Sequence, residues 1–534
     1  MYYMEVVEER SCWQKASGAL CVALSEVFSW LSGVELAVSA RVCGAWRAAA
    51  RDSRLWRRLL RRAGVANHTL TALREHNPMI SWRQEYVNVC AGWKLAAQVP
   101  GAQHGEGLEQ RRGGGALLTH ASLAAAGDRL AVAADDGTFA IWVQVNHVWQ
   151  EEWSTDLRMR GWTGAVRSEW AAEGQEESEG HTGVGGRWLL VTGALALADR
   201  WELLVLQRDE LGTYRSQARA GCSAGAGGCW AGTGVFLSLE LCRLAPRLAI
   251  TVVWLNAATQ ETQSEYAGVS SPLLRIFNED SAHLTHVLVA DVPLEALKTV
   301  STDVCEEGSC SPGISYFLAS TDTNRLIAEE SVQTLVTASQ GAGGALRAWS
   351  VSARRPPPLR ARDAGDLRMR ARRRRAAPVA APEPDDPDEA TVRAMCNPPE
   401  AECFLHAAIL GLVLHSSARC MWASTADGSA WCLSLPTLQR LCMLSGADGA
   451  FPSDQYYIQP AVSPRYVASP ARGRSAGVRL WSAATGALCP RPPQLSRASG
   501  AALVCLMSPR QQELLVLAGH YVHIWQSQAT SQRN

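Results

Sequence analysis

Residues 123–142 read LAAAGDRLAVAADDGTFAIW, and this stretch predicts two short β-strands joined by a tight turn. Gly127-Asp128 favours a turn before the first strand, which covers residues 130–133. Asp135-Asp136-Gly137 favours the second turn, and the next strand closes on a tryptophan. A strand pair of this kind must bury its apolar face against another pair, so we expect the pattern to recur along the chain.

Similar strand endings recur six times, and most of them close on a tryptophan. They lie at Leu203–Leu206, Thr251–Trp254, Ala345–Trp349, Ala430–Leu433, Val478–Trp481 and Val522–Trp525. Repeating β units with an aromatic residue at the same position and no helices between them predict an all-β propeller. With the ending at Trp142 they predict seven blades, in a first part at residues 93–351 and a second part at residues 401–534.

Residues 352–400 interrupt the repeats. They contain the arginine block Arg372–Arg375, several prolines and an acidic run at residues 385–389. Because this composition lacks the apolar side chains of a packed core, we predict a disordered insertion that loops out of a blade connection. A nuclear-import patch or a patch for an acidic partner is the alternative interpretation of the same segment.

A small helical unit at residues 19–62 precedes the propeller. Its apolar residues recur at the spacing of helices, and they include Leu20, Leu24, Val27, Phe28, Leu31, Leu36, Val42, Trp46, Leu55, Trp56 and Leu59. Ser32-Gly33 separates the first helix from the second, and Asp52-Ser53 caps the third. Helices this short need a shared core or a partner. Residues 1–18 are assigned to an N-terminal tail, and residues 63–92 to a helical linker whose segment Pro78–Val89 acts as a spacer.

Charge and hydropathy exclude several classes of function. The 51 basic and 51 acidic residues cancel, so the chain lacks the positive field of a nucleic-acid-binding protein. The first residues do not form a secretory signal, and no apolar stretch reaches the length of about 18 residues that spans a bilayer. We therefore expect a cytoplasmic protein that binds neither nucleic acid nor membranes.

The sequence offers no constellation for catalysis or metal binding. Its 16 cysteines form no C-x-x-C pair and are expected to be free, mostly buried thiols. His520 and His523 fall on opposite faces of the last strand pattern, so they do not form a metal pair. No phosphate loop, G-x-S-x-G elbow or zincin helix occurs. We expect a non-catalytic protein without a metal or other cofactor.

The helical unit resembles an F-box. The residues that carry this resemblance are Val27–Leu31, Glu35-Leu36, Arg41–Cys43, Trp46 and Asp52–Arg57. In the family an F-box docks an apolar helical surface on a Skp-type adaptor. The resemblance therefore implies that eight residues contact the adaptor or support that contact: Leu20, Leu24, Val27, Phe28, Leu31, Leu36, Val42 and Trp56. One position departs from the family pattern, because Ala19 and Leu20 stand where members open with Leu-Pro.

An F-box followed by repeated β units resembles the F-box/WD-repeat family, and Asp136 stands where WD repeats place a turn aspartate that accepts hydrogen bonds. Further islands are similar to family members in the same order along the chain: Ser81–Tyr86, Gly228–Trp230, Val253–Asn256, Leu273–Phe277, Val287–Asp291, Tyr466–Ser469 and Ser508–Leu515. The resemblance implies the substrate-recognition subunit of a Skp/cullin-1/F-box ubiquitin ligase, which promotes ubiquitination and proteasomal degradation of protein substrates. It further implies clients in centriole duplication and growth signalling.

The resemblance extends to ligases that use the damaged-DNA-binding adaptor and cullin-4, which read a Trp-Asp-x-Arg box. The aligned position here reads Trp481-Ser482-Ala483-Ala484, and Trp142-Val143-Gln144 does not supply the box either, so cullin-1 is the expected partner. Clients are expected at one rim of the propeller, on residues that the sequence does not identify. Because the Leu-Pro start is missing, a propeller scaffold for protein assembly that recruits no ligase is the alternative function.

Overall fold

A computed structural model of the protein describes most of residues 23–528. The segments between these limits that lie outside the described residues are 77–78, 102–115, 172–185, 197–200, 223–225, 233, 246, 260–268, 294–330, 340–343, 352–387, 416, 445–457, 472–476, 497–498 and 509–512.

The β part forms seven antiparallel sheets arranged as the blades of a propeller. Six of them run in sequence order from the inside outward, and the outermost strand of the seventh is the first strand of the chain. Blade 1 consists of β2 (Leu118–Leu123), β3 (Arg129–Ala134), β4 (Thr138–Val145) and β5 (Val148–Asp156). Blade 2 consists of β6 (Trp162–Trp170), β7 (Trp188–Leu195), β8 (Trp201–Arg208) and β9 (Tyr214–Cys222). Blade 3 consists of β10 (Gly228–Gly232), β11 (Val235–Ala245), β12 (Leu248–Ala257) and β13 (Val269–Asn278).

The remaining blades follow the same plan. Blade 4 consists of β14 (Leu284–Pro293), β15 (Ser331–Ser339), β16 (Ala345–Ser350) and β17 (Ala401–Phe404), and blade 5 of β18 (Ile409–Leu414), β19 (Cys420–Thr425), β20 (Ala430–Ser434) and β21 (Arg440–Leu444). Blade 6 consists of β22 (Ala461–Val462), β23 (Tyr466–Ala471) and β24 (Gly477–Ser482). Blade 7 contains β25 (Ala502–Met507), β26 (Glu513–Ala518) and β27 (Tyr521–Ser527). The seven-bladed prediction is confirmed, because each of the seven predicted strand endings lies in the third strand of a different blade.

The ring is closed by the two ends of the β part. β1 (Trp93–Pro100) is the outermost strand of blade 7 and pairs antiparallel with β27, so that Trp93 lies opposite Ser527. Apolar clusters fill the spaces between neighbouring blades: Phe139 of blade 1 packs with Trp162 of blade 2, and the clusters continue around the ring. A closed ring leaves no inner strand pair with an uncovered apolar face.

The turn between β3 and β4 confirms the predicted structural role of Asp136. Its carboxylate accepts hydrogen bonds from the backbone N–H of Thr138 at 3.0 Å and from the Thr138 hydroxyl at 2.6 Å. Gly137 adopts a φ of +81°, a left-handed conformation that glycine adopts without strain. The aspartate therefore fixes the turn.

Blade 6 has three strands among the described residues, and an irregular segment takes the place of its outer strand. Residues 488–494 run along β24 and meet it through two isolated bridges, Trp481 with Leu488 and Gly477 with Gln494. The segment contains three prolines, which lack the N–H group that a regular ladder requires. Blade 6 is the blade on which the helical part of the chain is seated, as described below.

The carboxy-terminal end of the predicted disordered insertion is ordered. α7 (Glu389–Ala394) packs on blade 3, where Val392 is buried among apolar side chains of β11 and β12. Asn397 then pairs with the backbone of Arg275: its side-chain oxygen accepts from the Arg275 N–H at 2.9 Å, and its own N–H donates to the Arg275 carbonyl. The expectation of disorder was wrong for this end because a single buried valine and one asparagine anchor it. The arginine block lies outside the described residues.

Among the described residues, six helices precede the propeller. α1 is described over residues 23–28, and the others are α2 (Gly33–Ser39), α3 (Gly44–Ala50), α4 (Ser53–Arg62), α5 (Asn67–His76) and α6 (Trp82–Cys90). Ser32 and Glu35 form a reciprocal capping box on α2, and Asp52 caps α4 as predicted. In the part of the chain that the structure describes, no helix has the length and hydrophobicity needed to cross a membrane.

Candidate docking face of the helical unit

The core of the helical unit is built from aromatic and aliphatic side chains of α1, α2, α3 and α4. Phe28 and Trp46 meet edge to face with ring centroids 5.3 Å apart, and Leu36 is fully buried beside them. Trp56 is 3% exposed, donates its indole N–H to the Ala50 carbonyl at 2.8 Å and packs against Tyr86 of α6. These contacts give the short helices the shared core that they need.

A row of large apolar side chains on α1, on α2 and in the turns that follow them remains in solvent. We call this row the docking face; its members and their exposed fractions are Val27 (59%), Trp30 (72%), Val34 (76%), Val38 (60%) and Val42 (62%). Isolated exposed apolar residues are common on soluble proteins, whereas a row of them on one unit marks an interaction surface.

Among the described residues, an arginine side chain contacts one face of the Trp30 ring. The guanidinium carbon of Arg58, on α4, lies 5.7 Å from the ring centroid, which is cation–π distance. The ring remains 72% exposed despite this contact. A positioned aromatic side chain with a free face is the type of residue that anchors protein interfaces.

The structure divides the eight residues that the sequence indicated for adaptor binding. Phe28, Leu36 and Trp56 are buried and can only support the surface, whereas Leu24 and Leu31 are half-buried. Val27 and Val42 belong to the docking face, and Leu20 lies outside the described residues.

Sequence reasoning missed Trp30, Val34 and Val38, which are the most exposed part of the docking face together with Val42. Only Val34 and Val38 share a helix, α2, where they lie one turn apart; Trp30 and Val42 lie in the turns before and after it. The exposed side of α2 is therefore apolar and can be covered by a partner.

Helix α6 joins the helical unit to blade 6. One side of α6 packs on α4 through Trp82 and Tyr86, and the cluster extends to Ala484 and Ala487 beyond the end of β24. The Tyr466 hydroxyl donates to the Asn88 carbonyl at 3.1 Å. The predicted spacer is therefore a joint with contacts on both sides.

Glu85 lies at the centre of this joint. Its Oε1 atom accepts hydrogen bonds from the hydroxyls of Ser482 at 2.5 Å and Thr485 at 3.4 Å, and its Oε2 atom accepts from the Asn88 amide at 3.4 Å. Burial raises the pKa of Glu85 above the ordinary value of 4.5, and the hydrogen bonds from Ser482, Asn88 and Thr485 oppose that rise.

Replacement of Glu85 tests the joint. Because the folded protein holds the Glu85 proton more tightly than the unfolded chain, this group lowers the free energy of unfolding as the pH rises above 4.5 towards its raised pKa. Glu85→Gln should remove this pH dependence, whereas Glu85→Ala should cost about 1–3 kcal/mol because three donors lose their acceptor. Chemical denaturation across this pH range measures both effects. Glu75→Gln on the exposed surface of α5 is the control, and a Glu85→Gln difference that does not change with pH contradicts the assignment.

The opposite face of the propeller carries a cavity. Ser482 ends β24, the third strand of blade 6, and Thr485 follows it. The cavity lies where second strands end, at Ala134 and Ala194, and where a third strand begins, at Trp201. Because neighbouring strands are antiparallel, these two places lie on opposite faces of the ring. Its volume is about 200 Å³, and its polar lining comes from Thr119, Thr163 and Asp135. This face is free of the helical unit.

The side chain of Arg167 is held by contacts within the propeller. Arg167 of β6 donates to the carbonyls of Ala226 at 3.4 Å and Val287 at 3.1 Å, and it forms an ion pair with Glu169 at 3.1 Å. These contacts tie together the inner strands of blades 2, 3 and 4. The role of Arg167 is therefore structural.

Comparison with known families agrees with this geometry. The F-box-like family model matches residues 23–62, which span α1 to α4. An F-box-like unit is thus followed by an all-β, seven-bladed propeller. That domain order fits an F-box/WD-repeat protein. No curated protein matches the chain. The match covers the docking face and its core, and an F-box implies binding to a Skp-type adaptor in a cullin complex.

Proposed function

We propose that this chain is the substrate-recognition subunit of a Skp/cullin-1/F-box ubiquitin ligase and directs protein substrates to proteasomal degradation. The observation that carries the proposal is the docking face, a row of five exposed apolar residues on an F-box-like unit that already has a complete core. Covering a row of this size with a partner removes apolar surface from water, which is the main driving force of protein association.

The chain would act by position and not by chemistry. A substrate held on the propeller experiences a high effective concentration of the ubiquitin-charged conjugating enzyme, provided that the connection between the two ends is stiff. The buried contacts of Glu85 and the hydrogen bond from Tyr466 to Asn88 supply that stiffness. We propose that the substrate binds on the propeller face that carries the cavity at Trp201, because the helical unit leaves this face open.

Cullin-1 is the better candidate than cullin-4. The position aligned with a Trp-Asp-x-Arg box is Trp481–Ala484, and here Ser482 and Ala483 are buried at the joint with α6. A blade end that is covered by the chain's own helix does not present its side chains to a second adaptor. The cullin-1 assignment rests on this coverage and on the F-box-like unit.

The islands of similarity along the chain resemble F-box/WD repeat-containing protein 5. On that resemblance we propose clients in centriole duplication and growth signalling, and a cytoplasmic site of action. The clients themselves are to be found by their dependence on the propeller face described above.

Copurification tests the proposed function. The full-length chain, mixed with purified Skp-type adaptor and cullin-1, should elute with both from a size-exclusion column, because the docking face needs a partner. The matched mixture with cullin-4 and the damaged-DNA-binding adaptor should leave the chain separate. Elution of the chain alone in the first mixture contradicts the proposal and favours a propeller scaffold that recruits no ligase.

A further inference from the structure

The turn Asp135-Asp136-Gly137 carries two carboxylates that have different surroundings. The carboxylate of Asp136 is used within the turn, where it accepts two hydrogen bonds from Thr138. Asp135 pairs with Leu117: its N–H donates to the Leu117 carbonyl at 2.8 Å, and its Oδ1 atom accepts from the Leu117 N–H at 3.0 Å. In the part of the chain that the structure describes, Oδ2 has no hydrogen-bond donor and no ionic partner. Asp135 is thus held in place and keeps an exposed negative charge.

Asp135 borders the cavity on the open face of the propeller, at the junction of blades 1 and 2. It is the one charged residue among those that line the cavity, and four of the others are alanine or glycine. The volume of about 200 Å³ is below the range of about 300–1,000 Å³ that is typical of small-molecule sites. The cavity is large enough for one side chain, which suits the recognition of a protein segment.

Two threonine hydroxyls on the lining have their hydrogens committed to the backbone. Thr119 donates to the carbonyls of Ala133 at 3.3 Å and Ala165 at 3.4 Å, and Thr163 donates to the carbonyl of Ala194 at 3.3 Å. A hydroxyl has one hydrogen and two lone pairs, so these two groups have only acceptor capacity left. Together with the carboxylate, they match a bound group that carries N–H donors and a positive charge.

Trp201 adds an aromatic side chain to the lining. The residue is half-buried, because part of it packs with apolar residues between blades 2 and 3, and it also borders the cavity. Lysine and arginine have an apolar stem and a charged end, and the charged end is attracted both by a carboxylate and by an aromatic ring. The small residues of the lining leave room for the stem, and Asp135 marks the place of the charged end.

We propose that this cavity binds one lysine or arginine side chain of the substrate. The inference rests on the proposed function and names its substrate class, which is proteins that expose a basic residue in an accessible segment. A phosphorylated segment would need unpaired positive charges, and no basic residue lines the cavity. Arg158 approaches the same turn at Gly137, but its guanidinium forms an ion pair with Asp156 at 3.7 Å.

Peptide selection on the full-length chain tests this assignment. Random dodecapeptides displayed on phage are selected in parallel on the wild type and on Asp135→Asn. Asparagine keeps an acceptor for the Leu117 N–H and removes only the charge, so the turn should stay folded. The wild type should enrich peptides that share a lysine or arginine at one position, and Asp135→Asn should not. Asp280→Asn is the matched control, since it removes an exposed carboxylate from the same face outside the cavity, and it should select as the wild type does.

Titration of the best selected peptide, followed by fluorescence anisotropy, measures the contact itself. Replacing the basic residue of the peptide with norleucine should weaken binding about tenfold, and so should Asp135→Asn. The two changes combined should weaken binding no further, because they remove the same contact. Gly164→Leu should abolish binding by filling the cavity. A Cβ atom at position 164 would lie 3.6 Å from the Ala134 carbonyl oxygen, an ordinary contact, so the fold should tolerate this change.

Three results overturn the proposal for the cavity: selection of peptides without a basic residue, selection of no peptide at all, and losses that add when the two changes are combined. Each of them leaves copurification with adaptor and cullin-1, and with it the proposed function, intact. A chain that selects basic peptides through Asp135 but does not copurify with the ligase overturns the proposed function and leaves the cavity as a peptide site.

Discussion

Replacing Val34 and Val38 together with aspartate should abolish capture of the Skp-type adaptor. Both side chains lie on the solvent side of α2, one turn apart, with exposed fractions of 76% and 60%. Burying two such valines in an interface contributes about 2–4 kcal/mol, and two carboxylates in their place must be desolvated as well. Affinity should therefore fall by at least about 100-fold. Titration calorimetry with purified adaptor measures the change.

The stability of this double variant should stay close to that of the wild type, within about 0.5 kcal/mol, because neither valine contacts the core. Thr71→Asp provides a control, since it adds one carboxylate at an exposed position of α5, away from the docking face. The control should bind the adaptor as the wild type does. Unchanged affinity of the double variant would show that the adaptor, if it binds, uses another surface.

Replacing Trp56 with alanine should also abolish capture, by a different route. The side chain is 3% exposed, packs on Tyr86 and donates a hydrogen bond to Ala50, so its removal should cost about 3–5 kcal/mol. A small helical unit has little stability beyond that amount. Hydrogen exchange should then show lost protection in α2 to α4 while the propeller strands remain protected.

Trp30→Ala is the matched comparison, because it removes the same side chain from an exposed position. This variant should lose adaptor affinity without loss of protection in the helices. If Trp56→Ala kept the helices intact, the proposed core of the unit would be wrong. If Trp30→Ala unfolded them, the docking face would be part of the core. Together the two variants separate residues that contact the adaptor from residues that support the contact.

The opposite-face arrangement connects these predictions with substrate binding. The helical unit sits at the end of β24, the third strand of blade 6, and the cavity at Trp201 opens on the other side of the ring. Variants of the docking face should therefore leave substrate binding unchanged. The joint at Glu85 lies between the two activities, so its variants should affect ubiquitin transfer more than either binding step.

Local chemistry was enough to predict much of this molecule. The alternation of side chains along a strand and the choice of turn residues are local properties of the sequence. The seven blades and the role of Asp136 in its turn could therefore be predicted from the sequence. The same holds for the F-box-like helices and for the Asp52 cap.

Contacts between distant residues decided the rest. Which side of a short helix is core depends on the partners it meets, and Trp56 is buried in part by Tyr86 of α6, outside the F-box-like unit. Nothing in the sequence distinguishes Glu85 from an exposed glutamate on a helix. Its carboxylate is buried at the joint because the folded chain places Ser482 against it. The pairing of β1 with β27 and the anchoring of the segment after α7 by Arg275 also depend on residues that are far apart in the sequence. Periodicity reports that an apolar side exists, and only the folded chain determines whether it is covered from within or left for a partner.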